Sequence, residues 1–388
     1  MTADIVIIGG GFGGFWSAVS ARRVGGRRMS VALVSRSPFL ELRPRLYQSN
    51  PERLRVDLRP ILDEVGVRFV PAEASGADLE RRIVETSVGP LAFQRLVVAT
   101  GSVMATPAIA GVEHAYSIDS LAEAVEFDAA LRRAVHRGGE TSVTVVGGGF
   151  TGIELALELR ERVDAIRAGA SRDLRVTMID PGREVGAGLG ERPRPVIADA
   201  LAAAGVEVRL GLRVTRIDES SVQLGADLEL RSDLTVLATG TRAAGFTSVL
   251  PVDRDDLGRI PVDQHLEAIG VPGLFVAGDA AHAYGIDDHL VMQSCQHALQ
   301  LGRFAGENAA RSLLGRPLLR YGQPTYVTCL DLGDSGAVFT RGWDREVAHT
   351  GEAAKTIKTR INTQVIHPPE GLTEPEILAH SVPSLFRR

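Results

Sequence analysis

The sequence predicts an α/β fold with two Rossmann-like dinucleotide-binding domains, the second inserted in the first, followed by a small C-terminal segment. A glycine loop, Gly9-x-Gly11-x-x-Gly14, follows an apolar β-branched run, and the same arrangement recurs at Gly147-x-Gly149-x-x-Gly152. Each loop lies between a strand-like and a helix-like segment, which is the context in which such a loop is specific. The two halves also end alike, in VVATG and VLATG, so we infer an internal repeat at domain scale.

The first half reads as a βαβ unit with a hairpin. The continuous apolar run Ile5 to Ile8 predicts a buried central strand, a helix is expected from about Gly13 to Arg23, and the next strand covers Val31 to Val34. Residues 81–93 predict a hairpin around Gly89-Pro90, and residues 95–101 predict a strand that ends in a small-residue turn.

The second half repeats this order. Strand Val143 to Val146, a helix from Gly152 to about Val163 and strand Leu174 to Ile179 form the unit, with a hairpin over residues 214–224. The closing strand is LTVLATG, which ends at Thr239-Gly240.

A third signal, GLFVAGDAAH at residues 273–282, indicates a return to the first sheet. Strand Leu274 to Ala277 delivers Asp279 into a small-residue turn, and a long helix is expected at roughly His289 to Leu314. The tail contains short β-rich segments and ends in a proline-containing stretch. We therefore divide the chain into a discontinuous first domain (1–112 and 242–320), an inserted domain (113–241) and a C-terminal segment (321–388).

Composition narrows the class of protein. The 388 residues carry a formal charge of −5, which gives no electrostatic reason to expect nucleic acid as a partner. No apolar run approaches the ~20 residues of a membrane span. The N-terminus enters a strand directly, so no signal peptide is expected, and two cysteines imply no disulfide framework. These features predict a cytoplasmic protein.

The two glycine loops predict two cofactors. Glycine allows a tight turn and lets the backbone approach a pyrophosphate, whose charge meets the free N–H groups and the positive end of the helix. One chain with two such loops can hold two dinucleotides, and the natural pair is a flavin and a nicotinamide.

Longer stretches resemble a known group of enzymes. The segments are GGGFGGFWSA, RPRLYQ, VVATGS, VVGGGFTGIELALEL, VLATG, LFVAGDAA and QSCQHALQLGRFAGENAA. Over about residues 3–365 the chain resembles the glutathione-reductase-like flavoproteins, and within them most closely the type II NADH:quinone dehydrogenases and their soluble relatives. This resemblance implies FAD on the first loop and NADH, with NADPH as the lesser alternative, on the second.

The resemblance also assigns cofactor-binding residues. Gly9, Gly11 and Gly14 would meet the FAD pyrophosphate, and Asp279 would bind the ribityl or pyrophosphate region; the alternative for Asp279 is a helix N-cap. Gly147, Gly149 and Gly152 would serve the nicotinamide cofactor. The other residues assigned to cofactor binding are Phe12, Gly13, Arg43, Thr100, Gly101, Phe150, Thr151, Gly240 and Gly278.

The first site departs from the family pattern. An acidic residue usually ends the second strand and holds the adenosine ribose, but here Ser35 takes that place, and its hydroxyl lacks the charge-assisted strength of a carboxylate. Arg36 either stacks on adenine or contacts phosphate, or it is a solvated loop charge.

The second site keeps its acid. Asp180 can accept hydrogen bonds from the NADH ribose and would repel a 2′-phosphate, although the nearby Arg183 could accommodate that phosphate. Glu154 matches the family glutamate close to the nicotinamide; the alternative is that it only complements the helix dipole. Cofactors carry hydride transfer, so we expect no catalytic triad and no metal.

The electron acceptor is predicted from glutamines. Gln293, Gln296 and Gln300 would share a helix face, and Gln296 and Gln300 match two of three glutamines at the quinone pocket of quinone-reducing relatives. The alternative is a polar strip that satisfies neighbouring backbone. A dithiol mechanism is not expected, because the early helices lack the Cys-x4-Cys pair of disulfide reductases, and Cys295 and Cys329 read best as ordinary buried thiols.

We therefore expect an FAD-dependent NAD(P)H oxidoreductase that passes electrons from NADH to a quinone. The alternatives are a soluble flavin-dependent dehydrogenase or oxidase of a specialised metabolite, and a slow redox-responsive binding protein. A homodimer is possible. Membrane contact is at most weak and peripheral, at the inner face, because only ILAHSVPSLFRR (377–388) can act as a foot.

Overall fold

A computed structural model describes residues 1–167, 173–285, 288–323 and 325–384. The first part of the chain alternates strands with two helices. Its elements are β1 (Thr2–Ile8), α1 (Phe12–Gly25), β2 (Val31–Ser35), β3 (Phe39–Glu41), β4 (Arg55–Asp57), α2 (Arg59–Val65), β5 (Arg68–Pro71), β6 (Ala74–Asp78), β7 (Ile83–Thr86), β8 (Leu91–Val98), β9 (Ser102–Met104) and β10 (Tyr116–Ser117).

The middle of the chain forms the second αβ unit. Its elements are α3 (Leu121–His136), β11 (Thr141–Val146), α4 (Phe150–Arg167), β12 (Leu174–Asp180), α5 (Arg194–Ala203), β13 (Glu207–Leu210), β14 (Val214–Ile217), β15 (Ser221–Leu224), β16 (Leu228–Arg231), β17 (Leu234–Leu237) and β18 (Thr241–Ala243).

The last part returns to the first unit and then forms the C-terminal segment. Its elements are β19 (Ile260–Pro261), β20 (Leu274–Val276), β21 (Ala281–His282), α6 (Cys295–Leu313), β22 (Val327–Asp331), β23 (Ala337–Arg341), β24 (Glu346–Thr350), α7 (Gly351–Arg360) and α8 (Glu374–His380). A π-helical turn, Ile361–Val365, continues α7.

Two parallel sheets carry the two glycine loops. In the first, β5, β2, β1, β8 and β20 run parallel, and β7 and β6 extend it as an antiparallel ribbon. In the second, the order is β10-β17-β11-β12-β13, again parallel. The central strands β1 and β11 are buried along most of their length, as their unbroken apolar runs predict.

The chain passes between the two units through a short ribbon. Strand β9 leaves the first unit and pairs antiparallel with β18, which leads back to it, and β20 then pairs with β8. The fold class expected from the sequence is therefore confirmed, including the insertion of one unit in the other. The exact boundaries at residues 112, 241 and 320 stay predictions.

Glycines bring α6 against the first loop. A Cβ at Gly302 would lie 2.3 Å from the carbonyl oxygen of Gly13, and one at Gly306 would lie 2.0 Å from that of Ser17. Such distances leave no room for a side chain, so the backbones of α1 and α6 touch. This contact holds Gly278 and the start of α6 beside the first glycine loop.

Three sequence predictions need correction. Leu91 to Val98 is one strand, because β8 pairs with β7 at its start and with β20 at its end. The long helix begins at Cys295, since the Ser294 hydroxyl accepts the His297 N–H and caps it, so Gln293 lies outside the helix. The tail contains the predicted strands, but it also contains the unpredicted helix α7.

The stretch that was expected to contact a membrane, residues 377–388, packs on the protein itself over its described part. Ile377 is buried, and Ser20 Oγ donates a 2.7 Å hydrogen bond to the carbonyl of Ser381, so α8 packs on α1. The end of that stretch, residues 385–388, lies outside the described residues. Within the described ranges, no helix has both the length and the apolar composition that a bilayer crossing requires.

Candidate functional site

The first glycine loop has the backbone that the motif requires. Gly9 has φ of +111°, in the region that favours glycine, and a Cβ at Gly14 would lie 1.8 Å from the carbonyl oxygen of Gly9. A Cβ at Gly11 would meet no heavy atom within 4 Å. Gly9 and Gly14 therefore shape the turn, whereas Gly11 faces open space where a pyrophosphate can approach.

The second loop has the same backbone geometry as the first. Gly147 has φ of +116°, a Cβ at Gly152 would lie 1.9 Å from the Gly147 carbonyl oxygen, and Gly149 faces open space. Both loops thus have the form of a dinucleotide cradle.

The acid of the second site lies against its loop. The backbone N–H groups of Gly148 and Gly182 donate to separate oxygens of Asp180, at 2.6 and 2.7 Å. Each oxygen keeps capacity for a further hydrogen bond, as a ribose would need. Arg183, three residues after Asp180, is exposed.

The corresponding position of the first site is occupied by Ser35. A Cβ at Gly10 would lie 2.8 Å from Ser35 Oγ, so the hydroxyl lies where Asp180 lies in the second site. Arg36 is largely exposed, and its guanidinium lies 3.7 Å from the exposed Glu73 carboxylate. Arg36 is thus solvated in the structure, and its contact with the adenine or a phosphate of FAD stays a prediction.

A cavity of about 520 Å³, which we call the central cavity, lies between the two loops. The first loop and its surroundings contribute Phe12, Arg43 and Asp279, and the start of α4 contributes Phe150, Thr151 and Glu154. The third side comes from residues 292–296 and 298–300 and from the C-terminal segment, including Tyr326, Cys329 and Lys358. Residues of both loops and of the tail thus meet around one space.

Asp279 lies at the wall of this cavity beside β9. Ser102 Oγ donates a 2.7 Å hydrogen bond to its carboxylate, and Arg43 donates to the Ser102 carbonyl at 2.9 Å. Burial raises the pKa of Asp279 above its ordinary value, although Ser102 and the Arg43 charge act in the opposite direction. Arg43 also pairs with Asp119, so it positions β9 as well as lining the cavity.

The turns that end the two halves differ in one informative way. The hydroxyl of Thr239, in the second half, donates to the Ala105 carbonyl at 2.9 Å. The equivalent Thr100 hydroxyl is buried and has no hydrogen-bond partner among the described residues. Buried hydroxyls are normally satisfied, so Thr100 beside Gly9 fits a site that receives a polar ligand. This orphaned group and the open cradle at Gly11 fit FAD.

Glu154 forms a buried ion pair that the sequence did not reveal. Lys358 Nζ, from α7, lies 2.6 Å from Glu154 Oε1, which also accepts the Asp331 N–H at 3.0 Å. Burial alone would lower the pKa of Lys358, but the Glu154 carboxylate outweighs it, so the pKa lies above its ordinary value. Lys358 is therefore a cation at the cavity wall.

A chain of polar contacts leads outward from this pair. Asp331 accepts a 3.0 Å hydrogen bond from the Tyr47 hydroxyl and pairs with Lys355 at 2.5 Å.

Glu158 lies one helical turn beyond Glu154. Burial, with Glu161 and Asp331 as like charges, raises the pKa of Glu158 from 4.5 to about 7. Sequence reasoning missed Tyr47, Asp331 and Lys355, because their partners come from distant segments.

Replacement of Glu158 by glutamine is expected to raise the thermal unfolding midpoint at about pH 8 and to change it less at about pH 5. The pKa of Glu158 is about 7 in the folded protein, whereas its ordinary value, which applies to the unfolded chain, is 4.5. The stabilising contribution of the protonated group is thus complete below 4.5 and is lost as the pH rises through 7. Scanning calorimetry of both proteins, with Glu126→Gln, an exposed glutamate of α3, as the control, checks this; a larger gain at the lower pH would contradict it.

The three glutamines do not share one helix face. Gln293 accepts from the Thr241 hydroxyl and donates to the Asp279 carbonyl. The Gln296 amide exchanges two hydrogen bonds with the Val327 backbone, and Gln300 donates to the carbonyl of Ser384 at 2.8 Å. Gln296 and Gln300 line the cavity while their amides satisfy neighbouring backbone, and their role toward an acceptor stays a prediction.

Cys295 and Cys329 both line the central cavity as free cysteines. Burial raises the pKa of each thiol to about 11. Since the thiolate is the nucleophile, this pKa disfavours nucleophilic attack by either thiol at neutral pH. Both cysteines are of intermediate exposure at the cavity wall.

Comparison with known sequences decides the family. The family described as pyridine nucleotide-disulphide oxidoreductase matches residues 3–302 of the chain. The chain belongs to this family. It is a flavin-dependent pyridine nucleotide oxidoreductase, as the two cradles indicate.

Individual relatives point in the same direction. An NADH dehydrogenase-like protein of Mycobacterium tuberculosis is 40% identical over 402 residues, with 99% of each chain covered. Demethylphylloquinone reductase of Synechocystis is 27% identical and covers 87% of this chain and 86% of its own. The structure of NDH2 from Plasmodium falciparum in complex with NADH has a TM-score of 0.80 at 14% identity, with 98% and 96% covered, and shows the shared fold.

Proposed function

We propose that this protein is an FAD-dependent NADH dehydrogenase that passes two electrons to a quinone. One observation carries the proposal: residues of both glycine loops, Asp279 and the cationic Lys358 meet around one cavity. The names of the Mycobacterium and Synechocystis relatives, the second of which reduces a quinone, support it.

The chain holds the two cofactors by different means. The first loop, Thr100 and Asp279 are suited to FAD. The second loop with Asp180 is suited to NADH, because the Asp180 carboxylate can accept hydrogen bonds from the ribose hydroxyls. A 2′-phosphate on NADPH would meet the Asp180 charge, so we propose NADH as the donor. Bound FAD would take up a hydride from the nicotinamide and pass electrons on to the acceptor.

Lys358 and Glu154 supply the protein's part of the chemistry. Reduction of a quinone to a quinol needs one proton more than the hydride provides, and a cationic amine at the cavity wall can donate it. Glu154 keeps Lys358 protonated. Lys355, which is 29% exposed, and Asp331 link this pair to the surface through α7 and β22. We keep Gln296 and Gln300 as proposed acceptor-binding residues, because an acceptor that enters the cavity meets their side chains.

Steady-state kinetics test the proposal and its donor preference. The FAD-loaded protein is expected to oxidise NADH faster than NADPH when menadione or ubiquinone is added without oxygen. Asp180→Ala is expected to reduce the ratio of kcat/KM for NADH over NADPH by a factor equivalent to ~1–3 kcal/mol, and Asp180→Asn, which keeps the shape, by a smaller factor. Turnover that is independent of quinone would overturn the proposal that quinone is the acceptor. An unchanged ratio would overturn the role of Asp180 in selecting NADH.

A further inference from the structure

Two side-chain donors converge on a thioether at the edge of the central cavity. The Tyr326 hydroxyl and Arg345 Nη2 donate to Met292 Sδ, at 3.1 and 3.0 Å. A thioether is a weak acceptor, whereas a phenol and a guanidinium are strong donors that normally bind oxygen. The Tyr326 hydroxyl and Arg345 Nη2 therefore donate to a weaker acceptor than the oxygen atoms they normally bind.

Arg345 is buried, and none of the described residues gives it a counter-charge. Its exposed fraction is 7%, its Nη1 has no hydrogen-bond partner, and no carboxylate pairs with it in the described ranges of the chain. Burial lowers its pKa from the ordinary value, although Tyr326 acts in the opposite direction. A buried unpaired charge costs free energy, as does a non-glycine residue with φ of +54°. Both costs fall on one residue next to the cavity.

The surroundings fix these donors in place. Tyr326 stacks on Trp343 and on His297, with ring centroids 4.1 and 5.3 Å away, and the Arg345 guanidinium lies 4.7 Å from the Tyr326 ring. Arg345 also packs on the second unit, since a Cβ at Gly190 would lie 2.7 Å from Arg345 Cγ. The donors are thus rigid.

Met292, in contrast, can move. It is 36% exposed, lines the cavity together with Tyr326, and has a flexible unbranched side chain. A rotation of this side chain would uncover the Tyr326 hydroxyl and Arg345 Nη2 without a backbone change.

We propose that Tyr326 and Arg345 form an anion-recognition site for the electron acceptor, which Met292 covers until the acceptor binds. The acceptor is then an aromatic quinone that bears an anionic oxygen group, such as a carboxylate, a sulfonate or an acidic hydroxyl. Its charged oxygen replaces Met292 Sδ, while its ring lies in the cavity. This inference rests on the proposed function, because it names the class of acceptor.

Binding of redox-inert probes tests the site without turnover. The FAD-loaded protein is expected to bind naphthalene sulfonate at least about tenfold more tightly than naphthalene methanol in titration calorimetry. Arg345→Gln should abolish this preference, Arg345→Lys should retain part of it, and Arg341→Gln, an exposed arginine of the same hairpin, should leave it unchanged. No preference in the parent protein, or an equal preference in Arg345→Gln, would overturn the proposal.

Kinetics with matched quinones separate this inference from the proposed function. Arg345→Gln is expected to raise KM for naphthoquinone sulfonate about tenfold, with little change in kcat, in KM for menadione or in flavin bleaching by NADH. Met292→Ala, which removes the covering group, is expected to lower KM for the sulfonate; a higher or equal KM would overturn the proposal, even if Arg345 variants fail to fold. If NADH does not bleach the flavin, the proposed function fails, while probe binding still decides the inference.

Discussion

Valine at Gly149 is expected to leave FAD bound and to abolish flavin bleaching by NADH, whereas valine at Gly11 is expected to give folded protein without FAD. A Cβ at either position meets no protein atom within 4 Å, so the fold tolerates the change. The added side chain instead fills the space where a pyrophosphate must approach the loop backbone. Flavin content by absorbance and anaerobic bleaching by NADH measure the two outcomes.

Two matched variants control for folding. Gly76→Val places the same side chain in open space on β6, away from both loops, and is expected to behave as the parent protein. Gly14→Val puts a Cβ 1.8 Å from the Gly9 carbonyl oxygen, so we expect unfolded or insoluble protein. Loss of FAD in Gly149→Val, or retention of FAD in Gly11→Val, would contradict the assignment of the loops.

Lys358→Met is expected to lower the free energy of unfolding by about 3–5 kcal/mol, because it leaves the Glu154 carboxylate buried without its counter-charge. The double variant Glu154→Gln/Lys358→Met is expected to recover much of this loss, since neither member is then charged. Urea unfolding of FAD-loaded protein, followed by fluorescence, measures both values.

Lys355→Met provides the control for that cycle. Its side chain lies on the same helix and pairs with Asp331, but it is 29% exposed, so water can replace part of the lost contact. We expect a smaller loss than for Lys358→Met. Equal losses for the two lysines, or no recovery in the double variant, would show that the Glu154–Lys358 pair is not the buried contact that stabilises the tail.

Local patterns made the two cradles predictable. The strand, glycine loop and helix at Gly9 and Gly147 each lie in one continuous stretch, residues 2–25 and 141–167, and glycine is needed there for backbone reasons alone. The positions of Asp180 and Asp279 follow from the same strand-to-turn logic. The insertion of the second unit in the first followed from the repeat and from the return to the first sheet at residues 273–282.

Contacts between distant segments were not predictable in this way. Lys358 lies 204 residues from Glu154, and Arg345 meets Met292 and Gly190 only after the C-terminal hairpin folds back. Gln293 was misplaced because Ser294 caps α6 later than the apolar pattern suggests, whereas Gln296 and Gln300 lie in the helix as expected. Their amides then found backbone partners in the C-terminal segment, whose position no local pattern specifies.

An anaerobic double-mixing stopped-flow experiment tests the central claim most directly. The FAD-loaded protein is first mixed with NADH and then with menadione, and flavin absorbance is followed throughout. The account predicts rapid bleaching by NADH, slower bleaching by NADPH, and rapid return of absorbance when the quinone arrives. Absence of bleaching by either nicotinamide, or bleaching that menadione does not reverse, would contradict it.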